Sequence, residues 1–166
     1  MPDMLIKLYD MPNVTQASRD DLETKLEKEG IKIKRAMVLE KSVVAEFAKV
    51  QFNYLWENEV ERAIFNRPSS CYIAVKDKKI IGFACYDATG LGFFGPMGVA
   101  PEEEGKGVGK ALLFKCLESM KEKGYGYAII GYVTDAVPFY EKAVNARVIE
   151  DSDLGKSIYC NLISVE

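Results

Sequence analysis

The segment Phe93–Leu112, with the sequence FFGPMGVAPEEEGKGVGKAL, constrains the fold more than any other part of the chain. It predicts a short apolar strand over Phe93–Val99, a glycine-rich loop over Gly105–Gly109, and a helix that begins where the loop ends. Apolar residues at helical spacing continue to Met120, and Gly124 follows where a glycine commonly ends a helix. This order of elements gathers backbone N–H groups at the positive end of a helix dipole. The segment therefore predicts an anion-binding loop.

Two common nucleotide-binding motifs fit this loop poorly. A Walker loop needs Ser or Thr after its lysine, whereas Ala111 follows Lys110. The dinucleotide fingerprint G-x-G-x-x-G also differs from the G-x-G-x-G of Gly105–Gly109. On the loop alone, glycines that only tighten a strand-to-helix turn remain an alternative.

The wider pattern resembles the acetyl-CoA signature of the GNAT N-acetyltransferase superfamily, written Q/R-x-x-G-x-G/A. Residues Glu104–Gly109 occupy this frame, with Glu104 where the family usually has Gln or Arg. The sequence Phe139-Tyr140-Glu141-Lys142 is similar to the F-Y-x-K helix of the same family. The resemblance extends from Ile31 to Ile149.

The resemblance implies acetyl-CoA as a co-substrate and a site for it. The residues that would bind it are Met97, Gly98, Val99, Glu104, Gly105, Lys106, Gly107, Val108, Gly109, Lys110, Phe139, Tyr140 and Lys142. The backbone N–H of Val99 would stabilise the oxyanion, and Tyr140 would protonate the leaving sulfur. The carboxylate of Glu104 should weaken binding of the pyrophosphate unless it faces solvent.

The general base is open on the sequence. Candidates are Glu57, Glu61 and Asp87, acting directly or through water, and loss of the proton to solvent is a further alternative. Glu57 and Glu61 share one face of a predicted helix, which is either an acidic pocket wall or an ordinary solvated surface.

Composition excludes several mechanisms and partners. The chain has no histidine, which excludes Ser-His-Asp and Cys-His mechanisms and the usual catalytic zinc sites, so we expect no metal. A net charge of −3 gives no general attraction to nucleic acid, and no apolar run has the length of a membrane span. Four cysteines without C-x-x-C spacing predict free thiols and a cytoplasmic location.

The order of elements predicts one mixed α/β domain, with a mostly antiparallel sheet of about seven strands and helices on both faces. Residues 31–166 would form the acetyltransferase domain, and residues 1–30 an N-terminal extension that packs on it. Arg147–Glu150 and Ser157–Ile163 are predicted as closing strands, joined by a polar turn at Asp151–Lys156.

The sequence thus favours an acetyl-CoA-dependent N-acetyltransferase that acts on the primary amine of a small molecule. Two alternatives stay open, namely a non-catalytic acyl-CoA-binding module and an acetyltransferase that acts on a protein or peptide amine. Because dimers are frequent in the family that the chain resembles, a homodimer is one expected assembly.

Overall fold

The computed structural model describes residues 1–152 and 155–163. Within these ranges the chain forms β1 (Met4–Lys7), α1 (Gln16–Lys28), β2 (Ile31–Arg35), α2 (Lys41–Gln51), α3 (Tyr54–Phe65), β3 (Cys71–Lys76), β4 (Lys79–Tyr86), β5 (Phe93–Val99), α4 (Val108–Glu122), β6 (Tyr127–Ile130), α5 (Val137–Val144) and β7 (Arg147–Val148). Short 3-10 helices occupy Val38–Glu40, Pro101–Glu103 and Ile158–Asn161. No helix in the described ranges combines the length and apolar character needed to cross a membrane.

The strands of the described ranges form one seven-stranded sheet in the order β2-β3-β4-β5-β6-β1-β7. β5 and β6 run parallel, and the other neighbouring pairs are antiparallel. The predicted mixed α/β fold with a mostly antiparallel sheet is therefore confirmed. The N-terminal strand β1 lies inside this sheet, with Ile6 opposite Ala128 of β6 and Met4 opposite Val148 of β7.

The prediction of a closing strand over Ser157–Ile163 is wrong. Ile158–Asn161 form a 3-10 helix instead, and the side chain of Ser157 accepts a hydrogen bond from the N–H of Tyr159 at 3.2 Å. The physical reason is that β1 already pairs with β6, in the place where a closing strand would lie. Residues 153 and 154 of the predicted polar turn, and residues 164–166, lie outside the described residues.

Each face of the sheet carries a hydrophobic core, because successive side chains of a strand point to opposite faces. Along β4, Ala84 and Tyr86 join the core under α1, α4 and α5, whereas Phe83 and Cys85 join the core under α2 and α3. This confirms the predicted helices on both faces. We name the two sides of the sheet the α4 face and the α3 face.

An irregularity in β5 ends its pairing with β6. The register between β4 and β5 shifts between Ala84 and Tyr86, which leaves one extra residue on β5 near Gly95 and Pro96. Pro96 has no N–H to donate to a ladder. β5 pairs with β6 only at Phe93 and Phe94, opposite Ile129 and Ile130. We call the gap that follows, between residues 95–99 and the chain after Ile130, the slot.

Candidate active site

The slot is lined on one side by unpaired backbone donors of β5. The N–H of Ala100 donates to the carbonyl of Ile81 on β4 at 2.8 Å. Because N–H groups of successive strand residues point to opposite sides, those of Met97 and Val99 point away from β4 and into the slot. An extended ligand could therefore pair with this edge of β5 as a further strand would.

Gly98 has a different role from its two neighbours. Its N–H points towards β4, and the ring of Phe52 covers its α-carbon on the α3 face so closely that no Cβ would fit. Gly98 therefore lets Phe52 and α3 pack against β5, and it lends no donor to the slot.

The glycine loop, residues Gly105–Gly109, carries a run of free backbone donors at the start of α4. The first N–H of this helix with a protein acceptor is that of Ala111, which donates to the carbonyl of Gly107 at 3.0 Å. Within the described residues, the N–H groups of residues 105–110 have no protein acceptor. Gly107 has φ of 91°, a left-handed conformation that favours glycine. Free N–H groups and a helix dipole at one point suit a diphosphate group.

The charged side chains around the loop differ in how they are engaged. Lys106 forms an ion pair with Glu103 at 2.5 Å, and Lys76 approaches the same carboxylate at 3.5 Å. The hydrogen bond from Lys106 is the main cause that lowers the pKa of Glu103. Glu104 and Lys110 are both exposed. Solvent therefore screens the carboxylate of Glu104, which the sequence places close to a bound pyrophosphate.

Helix α1 lies against the glycine loop. A Cβ added to Gly107 would lie 2.8 Å from Cδ1 of Leu22, and Nζ of Lys25 donates to the carbonyl of Lys106 at 3.4 Å. The side chain of Val108 is buried beneath the loop, so this residue offers only its N–H at the surface. Residues 1–30 thus contribute both a strand to the sheet and a wall beside the loop.

Tyr140 lies on the α4 face near the start of the slot. Its ring packs edge-on against Phe94 and Phe139, with centroid distances of 6.1 Å and 5.1 Å, and Phe94 is the last β5 residue that pairs with β6. Burial is the main cause that raises the pKa of Tyr140 well above its ordinary value. Within the described part of the chain, its hydroxyl forms no hydrogen bond. Lys142, on the same helix, is exposed.

Two of the predicted bases are paired with lysines of the neighbouring helix. Glu57 lies 3.3 Å from Lys49, and Glu61 lies 2.7 Å from Lys41. Both lysines come from α2, so these ion pairs join α2 to α3. The sequence predicts that the two glutamates share a helix face, and the structure places that face against α2.

Asp87, the third predicted base, is almost fully buried and has three partners. Its carboxylate pairs with Lys123 at 2.6 Å and accepts hydrogen bonds from the N–H of Gly92 at 2.8 Å and the hydroxyl of Tyr125 at 3.0 Å. These contacts tie the turn between β4 and β5 to the end of α4. The structure thus places Asp87 in the support of the slot and not at its opening.

A carboxylate that the sequence analysis passed over lies on the α3 face near the slot. Glu59 accepts a short hydrogen bond from the hydroxyl of Thr89, in the turn that leads into β5. Burial chiefly raises the pKa of Glu59, and the bond from Thr89 opposes this. The signal in the sequence is spacing, because Glu59 is three residues after the half-buried Trp56 and four before the buried Ala63.

Tyr159 faces Glu59 from the far side of the slot. Its hydroxyl lies over the α-carbon of Gly131, the residue that follows β6, and its ring packs at a tilt of 56° against that of Tyr132, with centroids 5.6 Å apart. Burial chiefly raises the pKa of Tyr159 to about 12, and the charge of Glu59 adds to the effect. Asp3 fixes the backbone of Tyr132, because its carboxylate accepts from that N–H at 2.9 Å.

The fold and the site are those of a protein that could bind an extended, phosphate-bearing ligand between two parted strands. The family to which this chain belongs follows from its sequence. Residues 39–145, more than half of the chain, match the model of the Acetyltransferase (GNAT) family, and the chain is a member of that family. No curated protein sequence matches it.

Solved structures share the fold at low sequence identity. The glucosamine N-acetyltransferase region of a fungal multi-domain β-N-acetylglucosaminidase has a TM-score of 0.68 and 16% identity, and the match covers 89% of this chain and 19% of that one. An N-acetyltransferase from Sphaerobacter thermophilus has a TM-score of 0.60 and 18% identity over 89% of this chain and 48% of the other. A GNAT acetyltransferase from Brucella melitensis, solved in complex with acetyl-CoA, has a TM-score of 0.52 and 18% identity over 66% and 80%. The chain therefore spans less than half the length of the first two proteins.

Proposed function

We propose that this protein is an N-acetyltransferase that moves the acetyl group of acetyl-CoA to the primary amine of a small molecule. The observation that carries the proposal is the end of pairing between β5 and β6 after Phe94, which leaves the N–H groups of Met97 and Val99 facing the slot. The free N–H groups of residues 105–110 lie at the start of the next helix, where a diphosphate would bind. The family membership and the acetyl-CoA bound to the Brucella relative support the same ligand.

The reaction forms one bond and breaks one. A neutral amine attacks the thioester carbonyl carbon, a C–N bond forms, the C–S bond breaks, and the proton lost by nitrogen balances the proton gained by sulfur. In this chain the N–H of Val99 would donate to the developing oxyanion, and one such preorganised donor is typically worth about 3 kcal/mol of the barrier.

Tyr140 would supply the proton to the leaving sulfur. Burial keeps its phenol protonated, since its pKa is raised above the ordinary value. The same burial would raise the pKa of a thiol held beside it, because desolvation disfavours every anion at that place. The two pKa values therefore move together, and the transfer stays feasible.

The small size of the acceptor is part of the proposal, because Tyr159 and its 3-10 helix would narrow the approach to the slot. Tyr159 and the 3-10 helix Ile158–Asn161 lie beside Gly131, on the side of the slot that an acceptor would approach. The cytoplasmic location and a homodimer stay predictions from sequence.

The test combines calorimetric titration of acetyl-CoA with detection of free thiol over a panel of small primary amines. We expect saturable binding, and thiol release that depends on one or more of the amines. Binding without release from any small amine, but with release from peptides, would move the activity to peptide acceptors. Binding without release from either would instead favour an acyl-CoA-binding module.

A further inference from the structure

Among the described residues, Glu59 is a partly buried carboxylate on the α3 face that forms no ion pair. Glu57 and Glu61, its neighbours on α3, each pair with a lysine of α2. Within the described residues, no lysine or arginine pairs with Glu59, and its recorded partner is the neutral hydroxyl of Thr89. A partly buried carboxylate without a cation is unfavourable, and a positively charged ligand would offset that cost.

The position of Glu59 relative to the slot follows from the elements around it. Phe52, which covers Gly98, lies at the end of α2 just before α3 begins, and at the other end of α3 the side-chain amide of Asn66 donates to the carbonyl of Asp87 at 3.2 Å. Glu59 lies on α3 between these two residues, and its hydrogen bond with Thr89 places its carboxylate beside the turn that leads into β5. The charge of Glu59 also adds to the effect of burial, the main cause that raises the pKa of Cys85 on β4.

Tyr159 and Tyr132 lie across the slot from Glu59. The hydroxyl of Tyr159 lies over Gly131, its ring packs at a tilt against that of Tyr132, and Tyr159 is close enough to Glu59 for the charge of the carboxylate to add to the effect of burial, the main cause that raises the pKa of the phenol. Aromatic faces attract cations, and the effect is stronger where water is partly excluded. One unpaired carboxylate and two tyrosines therefore surround the α3 side of the slot, opposite Tyr140 on the α4 face.

We propose that Glu59 binds the ammonium group of the acceptor and then removes its proton, and that Tyr159 positions the same group. The proposal rests on the proposed acetyltransferase function and names its substrate class, a primary amine that is protonated at neutral pH. Thr89, which donates to Glu59, would hold the carboxylate in place.

The proton balance is complete without a further reactant. The ammonium transfers one proton to the Glu59 carboxylate, and the neutral amine attacks the thioester carbon. The nitrogen loses a second proton as the C–N bond forms, and the departing sulfur gains one. Glu59 then returns its proton to water. Its raised pKa suits this role, because a base works best with a pKa near the working pH.

The experiment compares Glu59→Gln with Glu46→Gln, a control with the same change at an exposed residue of the neighbouring helix α2. Glutamine keeps the size of the side chain and its acceptor for Thr89 but loses the negative charge. With the amine that wild type uses best, we expect Glu59→Gln to lower kcat/KM by at least ~100-fold and to move the acidic limb of the pH profile up to the pKa of the amine itself. Glu46→Gln should stay within about 3-fold of wild type, because its side chain is exposed and away from the slot. Both variants should bind acetyl-CoA as wild type does.

Tyr159→Leu and direct binding separate the remaining outcomes. Tyr159→Leu removes the aromatic face and should raise KM for the amine more than it lowers kcat, since Tyr159 positions the acceptor. If wild type acetylates an amine and the kcat/KM of Glu59→Gln stays within about 3-fold of wild type, the role of Glu59 is overturned and the acetyltransferase function stands.

If no amine releases thiol, the acetyltransferase proposal fails, and calorimetry with the amine panel then tests the Glu59 site directly. Amine binding to wild type that Glu59→Gln abolishes would then support the Glu59 site, and equal or absent binding would overturn it.

Discussion

Tyr140 is the side chain whose surroundings bear most directly on the proposed chemistry. Replacing it with Phe removes a hydroxyl that has no partner within the described residues, so the fold should hardly change. We expect kcat to fall by about 100-fold or more while the Kd for acetyl-CoA stays within about 2-fold. Because burial raises its pKa, Tyr140 should keep its proton, and wild-type kcat should not fall with rising pH up to about pH 10.

The control for this prediction is Tyr127→Phe, which removes an exposed hydroxyl from β6. It should leave both kcat and Kd unchanged. If Tyr140→Phe lowered binding and rate in equal measure, Tyr140 would be a packing residue and not the proton donor.

Asp87 tests whether a predicted base is a structural residue. Asp87→Asn should lower the free energy of unfolding by roughly 1–3 kcal/mol, because a buried acceptor loses its charge beside Lys123. The hydrogen bond to Asp87 is the main cause that raises the pKa of Lys123. The pair therefore stabilises the fold below the ordinary lysine pKa, and the difference between wild type and variant should shrink above about pH 10.4. Urea unfolding at several pH values measures this.

The turnover rate of Asp87→Asn provides the control for this prediction. While the variant is folded, its kcat with the best amine should remain near that of wild type. A large loss of kcat without loss of stability would return Asp87 to the list of bases.

At the scale of single residues, the sequence points to the loop glycines and Tyr140 more directly than to the carboxylates of the site. The loop glycines and Tyr140 lie in two short motifs that resemble those of the family, so the resemblance alone implies their roles. Glu59 gains its importance from Thr89 and Tyr159, which are 30 and 100 residues away in the sequence. A helix pattern can show that Glu59 lies on a different face from Glu57 and Glu61, but not which of these carboxylates pair with lysines of α2.

At the scale of elements, the junction between the glycine loop and β5 gives the sharpest prediction. A Cβ on Gly109 would lie 3.6 Å from Cγ2 of Val99 and 3.9 Å from Cε of Met97, which is ordinary contact. Gly109→Ala should therefore fold normally, with a gain of about 0.5–1 kcal/mol in a helix. Gly109→Leu places a larger side chain between α4 and the slot edge of β5. We expect it to weaken acetyl-CoA binding at least ~10-fold, measured by calorimetry.

Gly109→Ala is the control for Gly109→Leu, since the signature that the sequence resembles accepts Ala here. Equal affinity of the two variants for acetyl-CoA would mean that the ligand does not pass between α4 and β5.

Elements were predictable where periodicity is strong and local. The sequence predicts the strand over Phe93–Val99, and β5 has these same ends in the structure. β6 ends at Ile130, because Tyr132 adopts positive φ and its N–H bonds to Asp3. No local pattern could reveal that contact, which spans most of the chain.

At the scale of the whole molecule, β1 determines how the far half of the sheet is built. Ile6 is fully buried and lies opposite Ala128 of β6. Ile6→Ala should lower the free energy of unfolding by about 2–5 kcal/mol in urea, as for other large core residues. Lys7→Ala, on the neighbouring and half-buried position, should change it by about 0.5 kcal/mol or less. Similar effects of the two changes would mean that β1 does not belong to the core.

The sheet also joins the two halves of the proposed site. The α4 face provides the glycine loop and Tyr140, the α3 face provides Glu59, and the slot is the opening between them. Sequence patterns predict each face separately, but they do not predict that the N-terminal strand takes the place beside β6 and leaves Tyr159 free to pack over Gly131.

The central claim is that backbone N–H groups of β5 and the glycine loop bind acetyl-CoA. The most direct measurement is a two-dimensional amide NMR titration with acetyl-CoA. We expect saturable shifts at Met97, Val99 and residues 105–110 that exceed those at the rest of the backbone. Saturable binding that leaves these amides unchanged, or no saturable binding at all, would contradict it.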